Sequence, residues 1–135
     1  MNIREIANKN FQEKKYNCCQ AVICAYCEAC GIDDSDMFKL AEGLGLGMGG
    51  LKDVCGAVSG MFMAMSMFNS AGDKSDPRQT KLDTYAKIRE FADIFTQECG
   101  SIYCRDLKSK ESFTSCNRCV EFAAECIENF IATKE

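Results

Sequence analysis

The stretch Asp53-Val54-Cys55-Gly56-Ala57-Val58-Ser59-Gly60-Met61-Phe62-Met63-Ala64-Met65-Ser66-Met67-Phe68 decides how the rest of the chain is read. Its apolar residues recur at helical spacing and leave almost no polar face, so the helix they form is expected to be surrounded by others. Asp53 reads as its N-cap, and the helix is expected to run through Met67 and end near Gly72. Gly56 and Gly60 share one face and admit a closely packed neighbour. Met61, Met63, Met65 and Met67 pack adaptably, which gives part of this helix a second use as a homodimer face. The run from Val54 to Phe68 is too short for a bilayer span, which takes roughly 20 residues.

Upstream lies a glycine run, Gly43-Leu44-Gly45-Leu46-Gly47-Met48-Gly49-Gly50. Its letters from Gly45 to Gly50 fit a dinucleotide fingerprint, but that motif needs a preceding strand in a βαβ unit, and here a helical pattern precedes it. The run is read as a flexible loop that delivers the start of the central helix.

Working outward, every further segment is helical. Ile3, Ile6, Ala7 and Phe11 mark a short first helix. Asn17 caps a second that runs to about Cys30 and stops at Gly31. Ser35 or Asp36 opens a brief third. Asp76-Pro77 pairs an acidic cap with proline at the first helical position and signals another start. That helix aims Leu82, Tyr85, Ile88, Phe91, Ala92 and Phe95 at the core and stops at Gly100. Ser115 caps the last, whose buried face includes Cys116, Val120, Ala123, Ile127 and Phe130. The expectation is an all-α fold: a single-domain bundle, residues 1–135, of about five to six helices, with a glycine-rich loop before a buried central helix.

Composition limits the chemistry. The chain has 135 residues, 47% of them hydrophobic, and a formal net charge of −4 with the two signs interspersed. No basic stripe marks a nucleic-acid surface and no segment marks a membrane span. Eleven cysteines and no histidine stand out. Without histidine there is no Cys-His or Ser-His catalysis and no Cys₂His₂ zinc site, so the chemistry is sulfur chemistry. Met1-Asn2-Ile3-Arg4-Glu5 leads into no apolar signal region, so the chain is expected in the reducing cytoplasm, where stable disulfides are rare. An odd number of cysteines also cannot pair completely within one chain.

The cysteines offer several local patterns. Cys55 falls in the first turn of the central helix, where free N–H groups and the helix dipole favour a thiolate. Cys24-x₂-Cys27-x₂-Cys30 imitates the opening of a ferredoxin run, but position 34 is Asp34 and the spacing drifts around a helix, so packed structural cysteines are expected. Cys99-x₄-Cys104 with Cys116-x₂-Cys119 has the look of a four-cysteine zinc knuckle. Cys116-x₂-Cys119 at a helix start suggests a dithiol, though without the βαβ context of thioredoxin.

Taken in order, Tyr16-Asn17-Cys18, Gly49-Gly50, Cys55-Gly56-Ala57-x-x-Gly60, Tyr103-Cys104-Arg105-Asp106-Leu107 and Ser115-Cys116 resemble the C_GCAxxG_C_C family of small, redox-active bacterial and archaeal proteins. The resemblance runs from about Asn17 to the last helix, although this chain reads Cys-Gly-Ala where the family name writes Gly-Cys-Ala. It implies one site made by Cys18, Cys55, Cys104 and Cys116, and makes Cys19, Cys24, Cys27, Cys30, Cys99, Cys119 and Cys126 extras. A similar domain accompanies haem in split-Soret cytochromes, where it is associated with a [2Fe–2S] cluster; no Cys-x-x-Cys-His is present here for covalent haem. The expected function is an iron–sulfur cluster, [2Fe–2S] in type, on those four cysteines, serving electron transfer or redox sensing with a partner protein. Two alternatives stand beside it: a thiol–disulfide oxidoreductase with Cys55 as nucleophile, and a structural zinc module. Four cysteines from separate segments, with Cys104 in a connecting loop, suit a cluster better than a two-thiol shuttle. Arg105 is expected to be a solvated surface residue.

Overall fold

The computed structural model describes residues 1–109 and 114–134. Seven α-helices form among them: α1 (Ile3–Gln12), α2 (Cys18–Ala29), α3 (Ser35–Glu42), α4 (Gly56–Asn69), α5 (Lys81–Cys99), α6 (Cys104–Leu107) and α7 (Cys116–Lys134). The chain is all-α, with one or two more helices than expected. The described residues hold a single isolated antiparallel bridge, Val54 to Tyr103, and no longer ladder.

The centre is built by α2 lying directly on α4. A Cβ added at Gly60 would come within 2.9 Å of the Cys19 carbonyl and 3.0 Å of the Val22 Cβ, and one at Gly56 within 3.2 Å of the Cys19 nitrogen. The glycine face read from the sequence is thus taken up by α2 of the same chain. Helices α1, α5 and α7 close around this pair and bury Val22, Ile23, Val58, Met61, Met65, Phe95, Val120 and Ile127. Each such side chain contributes about 1.5–3 kcal/mol when removed from water. Phe130 joins α7 to its neighbours by edge-on contacts with Phe68 and Phe91, at centroid separations of 5.7 and 5.5 Å.

Asn17 carries the cap expected of it and more. Its side chain accepts from the Gln20 N–H while the Gln20 side chain accepts from the Asn17 N–H, a reciprocal capping box. The Asn17 amide also donates to the carbonyls of Ala41 and Glu42, which ties the end of α3 to the start of α2. Gly31 and Gly100, both at positive φ, end α2 and α5 as read, and Ser115 accepts from the Arg118 N–H to cap α7.

Three local readings are corrected. Cys55, rather than Asp53, is the N-cap of α4, because the bridge holds Val54 extended while the Asp53 carboxylate accepts from the Val54 N–H. The helix after Pro77 opens only at Lys81. Exposed residues 76–79 form a tight turn with the Gln79 N–H donating to the Asp76 carbonyl, and the Thr80 hydroxyl accepts from the Ala71 N–H. Leu82 and Tyr85 are exposed, because the inward stripe of α5 runs Thr84, Ile88, Phe91, Phe95, Cys99, in a phase set by Asn69 donating to Asp83 and Thr84.

Replacing Asn17 with Ala should cost about 1–2 kcal/mol through the lost cap. Gly60→Ala should cost about 1–3 kcal/mol, since backbone rather than a movable side-chain tip stands in the way. Urea unfolding reads both; unchanged midpoints would contradict this packing.

Candidate redox site

The cysteines singled out by the family pattern all sit at helix starts. Cys18, Cys104 and Cys116 are the first residues of α2, α6 and α7, and Cys55 is the N-cap of α4. Each therefore lies where backbone N–H groups lack helical partners and the local field favours an anion. Cys104, expected in a loop, opens a short helical turn instead, because the extended Tyr103 before it is held in the bridge.

That bridge is what joins two of these segments. The Cys55 N–H donates to the Ile102 carbonyl at 2.8 Å, the Cys104 N–H to the Asp53 carbonyl at 2.7 Å, and the Arg105 N–H to the Lys52 carbonyl at 3.2 Å. The glycine run supports it from outside. Residues 46–50 all take positive φ, from Leu46 at 53° to Gly50 at 91°, forming a left-handed turn. This turn folds the chain back so that the Lys52 and Asp53 N–H groups donate to the Leu46 and Gly47 carbonyls. A Cβ on Gly47 would stand 2.8 Å from the Cys104 Cβ, so glycine is required there by space as well as by φ. Leu46 and Met48 bear the cost of this backbone, roughly 1–2 kcal/mol each.

The thiols act on one another. Cys116, half-buried, is brought down to about 5 by the Cys18 thiol donating to its sulfur, then by the Lys108 ammonium and its own N–H, against the opposing effect of burial. Cys18 is pushed far up by the same hydrogen bond and by burial. Cys55 comes down to about 7 because the Cys119 thiol donates to it, assisted by the N–H groups of Ala57 and Val58. Cys104 is raised by burial and by the charges of Cys55 and Cys116, with Lys108 and Lys52 working the other way. Lys108 is itself raised by its hydrogen bond to Cys116. Cys55 and Cys116 thus interact with each other and each with Cys18 and Cys104, and Lys52 and Lys108 face the group.

The remaining cysteines divide. Burial pushes Cys19, Cys24 and Cys126 up to about 12 and Cys27 to about 11, as befits small packed hydrophobes, and Cys30 is exposed. The Cys24, Cys27, Cys30 set stays on α2 without converging on the site. The zinc-knuckle pattern is split: Cys104 and Cys116 act on Cys55, and Cys116 on Cys18, whereas Cys99 and Cys119 act on each other and on Cys55. Arg105 stacks on the Tyr103 ring at 4.7 Å rather than facing a thiol. Lys52 and Lys108 escaped the sequence reading because no local motif ties them to cysteines brought in from distant segments. Among the described residues, no three Cys, Asp or Glu side chains form a group arranged to hold one metal ion. No helix among them is long and apolar enough to cross a membrane.

The lowered Cys116 value sets a pH dependence. Its thiolate persists above about 5 and is lost as pH falls through that value, whereas an ordinary thiol ionises near 9. In chelator-treated, fully reduced protein, iodoacetamide labelling of Cys116 should therefore reach its plateau by neutral pH. Lys108→Met should move the midpoint upward; a wild-type midpoint near 9 would refute this geometry.

An uncharacterised protein of Archaeoglobus fulgidus is 28% identical over 121 residues, covering 83% of this chain and 80% of its own. No solved structure matches significantly. The model of the family described as "Putative redox-active protein (C_GCAxxG_C_C)" matches residues 16–130, which include every cysteine discussed above. The chain belongs to the C_GCAxxG_C_C family.

Proposed function

We propose that this protein carries electrons, with Cys18, Cys55, Cys104 and Cys116 holding an iron–sulfur cluster of the [2Fe–2S] type. The observation that supports the reading is that four thiol-bearing helix starts are drawn together, with Cys55 and Cys116 each interacting with the other three cysteines. The donor set fits the group, since thiolates are the usual ligands of such clusters and every donor here is a cysteine. The protonation pattern supports it too. Cys18 and Cys104 are held protonated by burial and by neighbouring thiols, and metal binding would release those protons by supplying the missing positive charge. All four ligands come from a single chain, so the site needs no second copy.

Such a cluster supplies one-electron transfer when bound. The chain's own groups do the rest. The N–H groups of Ala57 and Val58 and the Cys119 thiol donate to the Cys55 sulfur, and hydrogen bonds to ligand sulfur are among the factors that set a cluster's potential. Lys52 and Lys108 offset negative charge at Cys104, and Lys108 does so at Cys116. Cys55 and Cys104 are buried, 7% and 4% exposed, while Cys18 and Cys116 form the more open side that a redox partner would approach.

A second reading rests on the Cys18–Cys116 hydrogen bond. A thiolate at Cys116 with a thiol beside it is the arrangement of a dithiol exchanger, in which the two give two electrons and two protons to a disulfide substrate and become a disulfide themselves. On that reading the half-exposed Cys116, rather than buried Cys55, is the nucleophile.

Anaerobic purification with iron and acid-labile sulfide assays separates the two. The cluster reading expects iron and sulfide in equal amounts, lost in Cys55→Ser and kept in Cys27→Ser. Metal-free, colourless protein even after attempted reconstitution, with disulfide-reductase turnover abolished by Cys116→Ser, would overturn it in favour of the dithiol.

A further inference from the structure

Cys99 and Cys119 lie outside the family pattern, yet the fold brings them together with some care. Cys99 is the last residue of α5 and Cys119 sits in the first turn of α7. The residues just before them, Glu98 and Arg118, form an ion pair between the same two helices. The Thr114 hydroxyl donates to the Cys99 carbonyl at 3.3 Å, and Phe95 meets Phe122 at a centroid distance of 5.8 Å. The junction is thus held around the two sulfurs, and the two buried thiols lie close enough to act on each other. Cys119 also bonds to Cys55, so this pair adjoins the family site through a single thiol contact.

We propose that Cys99 and Cys119 form a second redox site, a dithiol that closes to a disulfide on reaction with hydrogen peroxide. Cys99, 8% exposed against 2% for Cys119, is the thiol that meets the oxidant. Its sulfur attacks the peroxide, the O–O bond breaks, and Cys99 becomes a sulfenic acid with release of water. The Cys119 sulfur then attacks Cys99 and the hydroxyl leaves as a second water. In sum, two thiols and one hydrogen peroxide give one disulfide and two waters, and an external dithiol restores the pair. Closure withdraws the Cys119 proton from its hydrogen bond to Cys55, so the state of the pair is communicated to the family site. The four cysteines of that site are not consumed, and the proposal stands whatever they hold.

The test treats the anaerobically purified protein with one equivalent of hydrogen peroxide, blocks free thiols with iodoacetamide under denaturing conditions, and maps linkages by tandem mass spectrometry. The fragments must distinguish Cys99 from Cys104 and Cys119 from Cys126. The expected result is a Cys99–Cys119 disulfide that vanishes in Cys99→Ser and returns to two free thiols with dithiothreitol. Full alkylation of both residues, or linkage of Cys119 to Cys55 or Cys126 instead, would overturn it. Iron content measured on the same samples keeps the two proposals apart: a metal-free protein that still forms this disulfide contradicts the cluster alone.

Discussion

Two backbone hydrogen bonds, from the Cys55 N–H to the Ile102 carbonyl and from the Cys104 N–H to the Asp53 carbonyl, hold the site together. They belong to an isolated bridge, and an isolated bridge between two extended residues has little stability of its own. What keeps it in place is packing around it. The left-handed turn at residues 46–50 folds Lys52 and Asp53 back, Gly47 presses against Cys104, and α2 lies so close to α4 that Gly56 touches the start of α2 at Cys18. Three helix starts are thereby fixed relative to one another by main-chain contacts. The fourth, at Cys116, is brought in by α7 packing on the same core.

This architecture explains why the thiols differ so much in character. A sulfur buried among apolar side chains stays protonated, as Cys19, Cys24 and Cys126 do. A sulfur at a helix start can ionise if it finds donors, and Cys55 and Cys116 find them in N–H groups, a lysine and neighbouring thiols. Crowding several such sulfurs at one place makes them compete for charge: those that ionise hold Cys18 and Cys104 protonated. Positive charge brought in by a metal group would resolve that competition, and disulfide formation would resolve it in another way. The two proposals assign one solution to the four helix starts and the other to Cys99 and Cys119.

Local signals in the sequence were legible because they act locally. Asn17 followed by Gln20, Gly31, Gly100 and Ser115 mark helix ends through hydrogen bonds and φ values that span only a few residues. The apolar run from Val54 gave the central helix, and Gly56 with Gly60 gave its close neighbour. Asp76-Pro77 misled because a start signal needs apolar residues behind it, and here exposed residues form a turn first. Nothing in the glycine run announces a left-handed turn, since Leu46 and Met48 disfavour that conformation and take it only under the contacts of Lys52, Asp53 and Cys104. The ordered cysteine pattern pointed to Cys18, Cys55, Cys104 and Cys116. The roles of Lys52, Lys108, Cys99 and Cys119 depend on pairings between distant segments, and no spacing in the sequence encodes those.

The account stands or falls on whether four thiols from one chain hold a metal group that exchanges electrons. Electron paramagnetic resonance of anaerobically isolated, chemically reduced protein tests this most directly. The expected result is the signal of a reduced [2Fe–2S] cluster, abolished by Cys104→Ala and unchanged by Cys24→Ala. An iron-free, silent sample that fails reconstitution and forms a Cys18–Cys116 disulfide on oxidation would contradict it.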